Sequence, residues 1–393
     1  MTATIKVPDD IAREVVAIRR DLHAHPELGF HEYRTAGIVA ERLRELGVDE
    51  VHEGIATTGV IGVLRGARRG RTVMLRADMD ALPMSDEKVV PYRSQTPGAM
   101  HACGHDGHVA MLLGAAELLV KRRAELAGTI VLCFQPAEEG GGGAHVMVED
   151  GVLQRFGVER AYGLHLFSFA PTGAVLFHAG PMMASADEVR IEIVGRGGHG
   201  ALPHLSADPI LIASDFVTSV QRVVSRDIDP LEPVVVTICS IHAGTTSNVI
   251  PNSATLLGTI RTFSEHVRDA IPQHIERILR ASCDAGDGSC VLNIVRRYPV
   301  TVNDVAQTAF ARDVAQRRLA GAAVLDGSAM MAAEDFSFFA QRVPASFIGL
   351  GCRGGEDTAY PNHDTRFDID ERALEIGIAL HAALALEAPT EAP

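Results

Sequence analysis

The stretch HACGHDGH, residues 101–108, puts His101, Cys103, His105, Asp106 and His108 into eight positions separated only by Ala and Gly. Small residues let the backbone turn sharply and bring side chains together. Three readings stay open: a metal site, a thiol nucleophile with its base, or a polar helix start. Cys103 and His105 place a thiolate and an imidazole on one short loop, which suits zinc or a similar divalent ion. The plainer alternative is a buried cysteine beside a helix-capping histidine. Asp106 belongs to the helix start, where an acid complements the dipole. His101 and His108 fit supporting roles better than ligation.

Acidic pairs come next. In PAEEGGGG, adjacent residues of an extended chain point to opposite sides. One of Glu138 and Glu139 can then bind metal while the other faces a reacting water. That division suits metal-assisted hydrolysis, and a solvated acidic turn is the alternative. In RADMD, Asp78 and Asp80 share a strand face. Asp80 is placed to bind metal or to hold a ligand imidazole in the right tautomer. Asp78 is ambiguous, with pairing to Arg76 as its structural role. His165 lies near the end of RAYGLHL. Farther along, His199 sits in the Gly-rich GRGGHGALPH, Asn248 in SNVIP and Arg261 in GTIRTF. Arg261 is either a solvated strand residue or a fork for a substrate carboxylate. Asn248 offers an amide or makes a turn. His363, in NHDTRFD, is a further ligand candidate.

These residues need elements to hold them. PDDIAREVVAIRRDLHAH reads as a helix, RTVMLRADMD as a buried strand, and HDGHVAMLLGAAELLVKRRAEL as a long helix. TIVLCFQ is a strand stopped by Pro136, and ERAYGLHLF is a third. Their C-terminal ends carry the acids and His165, where open α/β sheets bind ligands. Strands alternating with helices predict an α/β fold with a mostly parallel sheet covered on both faces. The middle of the chain reads β-α-β-β-α-β, the ferredoxin-like order. The expected organisation is a discontinuous metal-binding catalytic domain, 1–183 and 299–393, with an inserted α+β domain at 184–298.

The chain has 393 residues, 36 basic against 50 acidic, and a formal charge of −14. So acidic a surface argues against nucleic acid or an anionic membrane as partner. Six cysteines spread thinly over this length are no disulfide framework. The N-terminus lacks an apolar signal core, and no run of about 18 apolar residues is expected to span a membrane. The expected address is the cytoplasm.

The motifs DLHAHPELGFHE, LRADMDALPM, HACGHDGH, QPAEEGGGGA, GLH, GRGGHGALPH, NVIP, GTIRTF, AEDFSFF and NHDTRFD follow in that order. Together they resemble the metal-dependent amidohydrolases of the carboxypeptidase G, aminoacylase and hippurate hydrolase family, in particular its hippurate hydrolase and auxin-conjugate hydrolase branch. The resemblance runs from about residue 13 to residue 380. It implies a catalytic domain with two divalent ions (zinc, manganese, cobalt or nickel) and an inserted lid or dimerisation domain. It implies that Cys103, His105, Glu139, His165 and His363 are ligands, that Glu138 is the general base and later acid, and that Asp80 supports the metals. Wider members of the family carry a His-x-Asp pair where this chain has Asp78 and Asp80. The resemblance gives His199 to the oxyanion, across a dimer or dimer-based tetramer, and Asn248 and Arg261 to the substrate carboxylate. The implied substrate is an N-acyl amino acid, hippurate-like or N-acetylated, or alternatively a small dipeptide. Two rival readings are a thiol hydrolase using Cys103 and a non-catalytic binding protein on the same scaffold.

Overall fold

The computed structural model describes residues 4–390. Two compact units divide the chain. The first takes in the chain up to Gly180, Val302–Ser328 and the chain from Asp335 on; the second is Pro181–Thr301 with Ala329–Glu334. The second unit thus begins slightly before the expected 184 and ends slightly beyond 298. It also claims a short piece that was expected to fall wholly within the catalytic domain. The reason is backbone pairing: Met330 donates to Met182 O at 2.8 Å, and Ala184 donates to Ala332 O at 2.9 Å. Residues 1–3 and 391–393 of the expected catalytic domain lie outside the described residues.

In chain order the main strands are β1 (Glu50–Ile55), β2 (Gly59–Arg65), β3 (Arg68–Asp78), β4 (Ala127–Gln135), β5 (Arg160–Pro171), β6 (Ala174–Phe177), β7 (Ala186–Val194), β8 (Val234–Ala243), β9 (Ser253–Thr262), β10 (Ser289–Tyr298), β11 (Ala323–Asp326) and β12 (Ala345–Arg353). The main helices are α1 (Asp9–Ala24), α2 (Tyr33–Glu45), α3 (His105–Lys121), α4 (Gly143–Glu149), α5 (Pro209–Ser219), α6 (Glu265–Ala285), α7 (Val305–Arg318) and α8 (Arg372–Glu387).

The first unit is built on an eight-stranded sheet in the order β1-β2-β4-β3-β5-β12-β6-β11. The β3–β4, β3–β5, β5–β12 and β6–β11 pairs are parallel. The outer β1–β2 and β2–β4 pairs and the β6–β12 pair are antiparallel. Val73, Leu75, Ile130, Leu132, Phe134, Tyr162 and Leu164 carry the strands into one core with α1, α3 and α8. Unbroken burial over the last six residues of both β3 and β4 marks strands covered on both faces there. The chain around α8, Arg372–Thr390, is long and apolar enough by length and composition alone to cross a membrane, but 78% of an 18-residue stretch within it is buried inside the protein. Its alanines and leucines pack into the core instead.

The second unit carries a four-stranded antiparallel sheet, β8-β9-β7-β10. Counted in chain order, the strands lie 2-3-1-4, the ferredoxin-like arrangement. In β7, Val189, Ile191 and Ile193 are buried while Arg190 and Val194 face out. This one-sided alternation follows from a sheet covered on one face. Phe216 of α5 and Ile271, Ile275 and Leu279 of α6 supply the cover.

Candidate metal centre

Five segments of the first unit converge. β3 ends at Asp78, and Asp80 follows it. Gly104, with φ of +92°, turns the chain into α3 so that His105 is the first helical residue and Cys103 stands just outside. β4 ends at Gln135 and leads into the turn bearing Glu138 and Glu139. His165 lies two residues past the last β5 residue paired with β3, although β5 itself runs on to Pro171. His363 comes from the loop before α8. Its own φ is +72°, a strained position for a residue with a Cβ, and its amide is held by Ala102 O at 2.8 Å.

The Cys103 sulfur lies 3.4 Å from His165 Nε2 and 3.3 Å from His363 Nε2. His363 Nε2 is also 3.2 Å from Glu139 Oε1. Ligand atoms of Cys103, His105 and His165 lie within 4.8 Å of one another, as do those of Cys103, Glu139 and His363, and those of His105, Glu138 and Glu139. The five ligand candidates and Glu138 are therefore one cluster. The expected division of the two glutamates between opposite sides of an extended chain is not what forms. They stand on a turn, and both reach toward His105.

Two of the three imidazoles are oriented from behind. His165 Nδ1 donates to Leu166 O at 3.0 Å, which leaves Nε2 facing the sulfur. His105 Nδ1 donates to Asp80 O at 2.9 Å, with Asp80 Oδ1 at 3.3 Å. Asp80 Oδ2 accepts the Glu139 amide at 2.8 Å. Asp80 thus ties two ligand candidates together. His105 Nε2 is buried with no hydrogen bond of good geometry among the described residues, and Glu139 Oε1 meets only the His363 ring at 3.2 Å. Buried lone pairs of this kind are costly unless a cation meets them. A thiolate, imidazoles and carboxylates are the donors that zinc and its first-row neighbours take, so the residues fit metal ions.

The electrostatics agree. Burial works against charge on His105, yet Asp78, Asp80 and Cys103 hold its proton well above the ordinary histidine range. Hydrogen bonds to Cys103 and Glu139 push His363 up to about 10. Protons bound this tightly show a cluster that attracts positive charge. His165 is held well below its usual value by burial and by His108, so it offers a free lone pair. Burial and Glu139 push the Cys103 thiol up, against its histidine neighbours.

Asp78 is committed elsewhere. Its oxygens meet Arg76 Nη1 at 2.7 Å and His108 Nδ1 at 2.5 Å. Against the cost of burial, Arg76 and His105 hold its carboxyl well below the usual range. The pairing with Arg76 is the structural role that sequence left open. Arg76 also reaches Gln135 and Asp335, two residues given no role from the sequence, although the motifs QPAEEGGGGA and AEDFSFF contain them. Behind the ligand loops, fully buried Arg19 meets Asp106 at 2.8 Å and Asp368 at 2.6 Å, and His23 meets Asp106 at 2.7 Å.

His199, Asn248 and Arg261 belong to the second unit. His199 is exposed on a two-residue strand paired with Val249–Ile250. The Ala201 amide donates to its Nδ1 at 3.0 Å, so the neutral ring carries its proton on Nε2. Gly200 donates to Asn248 O at 2.9 Å, which makes His199 and Asn248 neighbours. Arg261 is half-buried on β9 and donates to Thr259 Oγ1 and to Ile260 O. It has no carboxylate partner among the described residues, and desolvation lowers its pKa.

Residues 74–387 match the family model described as peptidase family M20/M25/M40. Thermostable carboxypeptidase 2 of Saccharolobus solfataricus is 42% identical over 379 residues, 95% of each chain. N-acetyl-L-cysteine deacetylase of Bacillus subtilis is 38% identical over 364 residues, 93% of this chain and 85% of that one. Among solved structures, the Bacillus subtilis YXEP protein, a dinuclear metal-binding peptidase from the M20 family, superposes with a TM-score of 0.84 at 33% identity, covering 97% of this chain and 99% of that one.

Proposed function

The chain belongs to peptidase family M20/M25/M40, and on that footing we propose that it is a metal-dependent amidohydrolase that cleaves the amide of N-acyl amino acids, releasing a carboxylic acid and a free amino acid. The observation that carries the reading is the convergence of Cys103, His105, Glu139, His165 and His363 with Glu138 beside them. The deacetylase relative supports an N-acyl amino acid substrate. The carboxypeptidase relative supports a peptide as the second choice. The two share one chemistry, because the C-terminal residue of a peptide is itself an N-acylated amino acid.

In this reading the five side chains would hold two divalent ions, which would supply the Lewis acidity that acidifies a water and polarises the scissile carbonyl. Glu138 takes the water's proton and delivers it to the leaving amine. Asp80 keeps His105 in the tautomer that presents Nε2 and holds the backbone of Glu139. His199 donates its Nε2 proton to the developing oxyanion, and Arg261 with Asn248 takes the substrate carboxylate. Within the second unit, the assigned tautomer of His199 and the guanidinium of Arg261, which meets no carboxylate among the described residues, support these roles. The working form is a homodimer or a dimer-based tetramer. Six unpaired cysteines are in keeping with a reducing, cytoplasmic address.

The test is a panel of N-acyl amino acids, hippurate included, assayed with metal-stripped protein before and after zinc, manganese, cobalt or nickel is added. Turnover restored by an ion is expected, and the best ion and substrate would identify metal and pocket. Glu138→Gln should bind metal and lose most turnover. Arg261→Ala should harm substrates with a free carboxylate far more than matched amides without one. Full turnover by verified metal-free protein would overturn the reading.

A further inference from the structure

The turn that bears Glu138 and Glu139 is fixed by buried carboxylates. Glu32 accepts the Ala137 amide at 2.8 Å, Asp80 accepts that of Glu139 at 2.8 Å, and Asp335 accepts that of Ala144 at 2.9 Å. Asp335 is fully buried and does more than the other two. Both its oxygens lie 2.9 Å from Gln135 Nε2. One carboxylate therefore joins the last residue of β4 to the first turn of α4, and the glutamates stand on the chain between those anchors. The backbone N–H of Asp335 lies 3.4 Å from Glu138 Oε1, so the same residue reaches the Glu138 carboxylate.

Arg76 holds Asp335 in turn. Its Nη2 is 3.0 Å from Asp335 Oδ1, its Nε is 2.7 Å from Gln135 Oε1, and its Nη1 is bound to Asp78. A planar guanidinium with its donors spent in this way sets angles as well as distances. The turn has no slack of its own. A Cβ on Gly143 would fall 1.7 Å from Pro136 O, so the two ends of the turn are already in contact.

We propose that Asp335, locked by Arg76 and Gln135, is a positioning residue that aims the Glu138 carboxylate for proton transfer. The inference rests on the reading of Glu138 as the base. A base displaced by about 1 Å loses on the order of a hundredfold in rate. Asp335→Asn keeps the size but turns an N–H₂ group toward the Gln135 and Ala144 donors, and it removes the charge that Arg76 faces.

The experiment compares wild type, Asp335→Asn, Glu138→Gln and the double variant. It reads kcat, KM, bound metal by elemental analysis and the thermal midpoint. The expected result for Asp335→Asn is a kcat loss of about 10- to 100-fold with KM within about threefold and metal content unchanged. In the Glu138→Gln background the same change should cost almost nothing further, because the group it aims is gone. A merely structural role would give additive losses, or a kcat loss in proportion to lost metal, and either overturns the proposal. Should Asp335→Asn fail to fold, Gln135→Met removes one support of Asp335. It should show a smaller kcat loss with the same dependence on Glu138, and an additive loss again overturns the proposal. An active Glu138→Gln would refute the base itself. An inactive Glu138→Gln beside a fully active Asp335→Asn would refute only the aiming role.

Discussion

Asp78 Oδ1 and His108 Nδ1 lie 2.5 Å apart, both buried, and the far nitrogen of that ring accepts the Leu166 amide at 2.9 Å. Leu166 follows His165 in the chain. His108 therefore carries its proton on Nδ1, and both its nitrogens are spent, so it has no lone pair left for a metal. Burial keeps the ring neutral against the pull of Asp78. Its work is to fix the backbone from which His165 projects. His108→Ala should weaken metal binding about 10- to 100-fold, the usual cost of losing an outer support. Chelator competition measures this, and wild-type affinity in the variant would refute it.

The thiol-hydrolase alternative requires an ionised, reactive Cys103. Burial and Glu139 instead push the thiol up, and a protonated buried thiol is a poor nucleophile. In metal-stripped protein at neutral pH, iodoacetamide should label Cys103 more slowly than the exposed Cys239. Site-resolved mass spectrometry reads both. Preferential labelling of Cys103 would bring the thiol mechanism back.

Arg19 is enclosed between Asp106 and Asp368 with no exposure of its own. Breaking a buried pair strands its partners, at a cost of about 3–5 kcal/mol. Arg19→Met should lower stability by that order in urea unfolding. Arg19→Lys should recover only part of it, because a single ammonium cannot fork to both carboxylates. An unchanged unfolding midpoint in Arg19→Met would show that the pairs contribute nothing.

His381, in α8, is buried, and burial followed by the nearby His108 pushes its pKa down to about 3. The unfolded chain titrates this group near the ordinary value of 6.5. Between those values the unfolded state binds a proton that the folded state refuses. Stability is therefore lost as pH falls below about 6.5, at about 1.4 kcal/mol per pH unit for this group. His101, pushed down to about 4, acts in the same direction. His381→Leu should flatten the decline in unfolding free energy between about pH 6 and pH 4.5 relative to wild type; equal slopes would contradict the assignment.

Much of this was legible in the residues. Apolar runs ending in acids marked β3 and β4 together with their functional ends, and the β-α-β-β-α-β alternation marked the second unit before its sheet order was seen. Other parts carry no chemistry to single them out. The helix Tyr33–Glu45 buries Ala36, Val39, Ala40 and Leu43 at helical spacing and β2 is an apolar run, while β1 is short and exposed or half-buried, with little apolar pattern. Arg76, Gln135 and Asp335 look like ordinary polar residues because their meaning lies in pairings up to 259 positions apart. The expectation for Glu138 and Glu139 failed for a similar reason. Pro136 was seen to stop the strand, but the turn after it depends on Glu32, Asp80 and Asp335, none of which is adjacent in sequence.

The order of the converging side chains along the chain has a consequence for biogenesis. Cys103, His105, Glu139 and His165 leave the ribosome in the first half of synthesis, whereas His363 follows about 200 residues later, after the entire second unit. At roughly 5–20 residues per second that interval lasts on the order of 10–40 s. During it the nascent chain presents a reduced thiol and imidazoles without their fifth companion. β12, the neighbour of β5 in the sheet, is also still to be made. On the ligand set proposed above, a full complement of donors exists only once His363 has been made, so binding of the ions would fall at the end of translation.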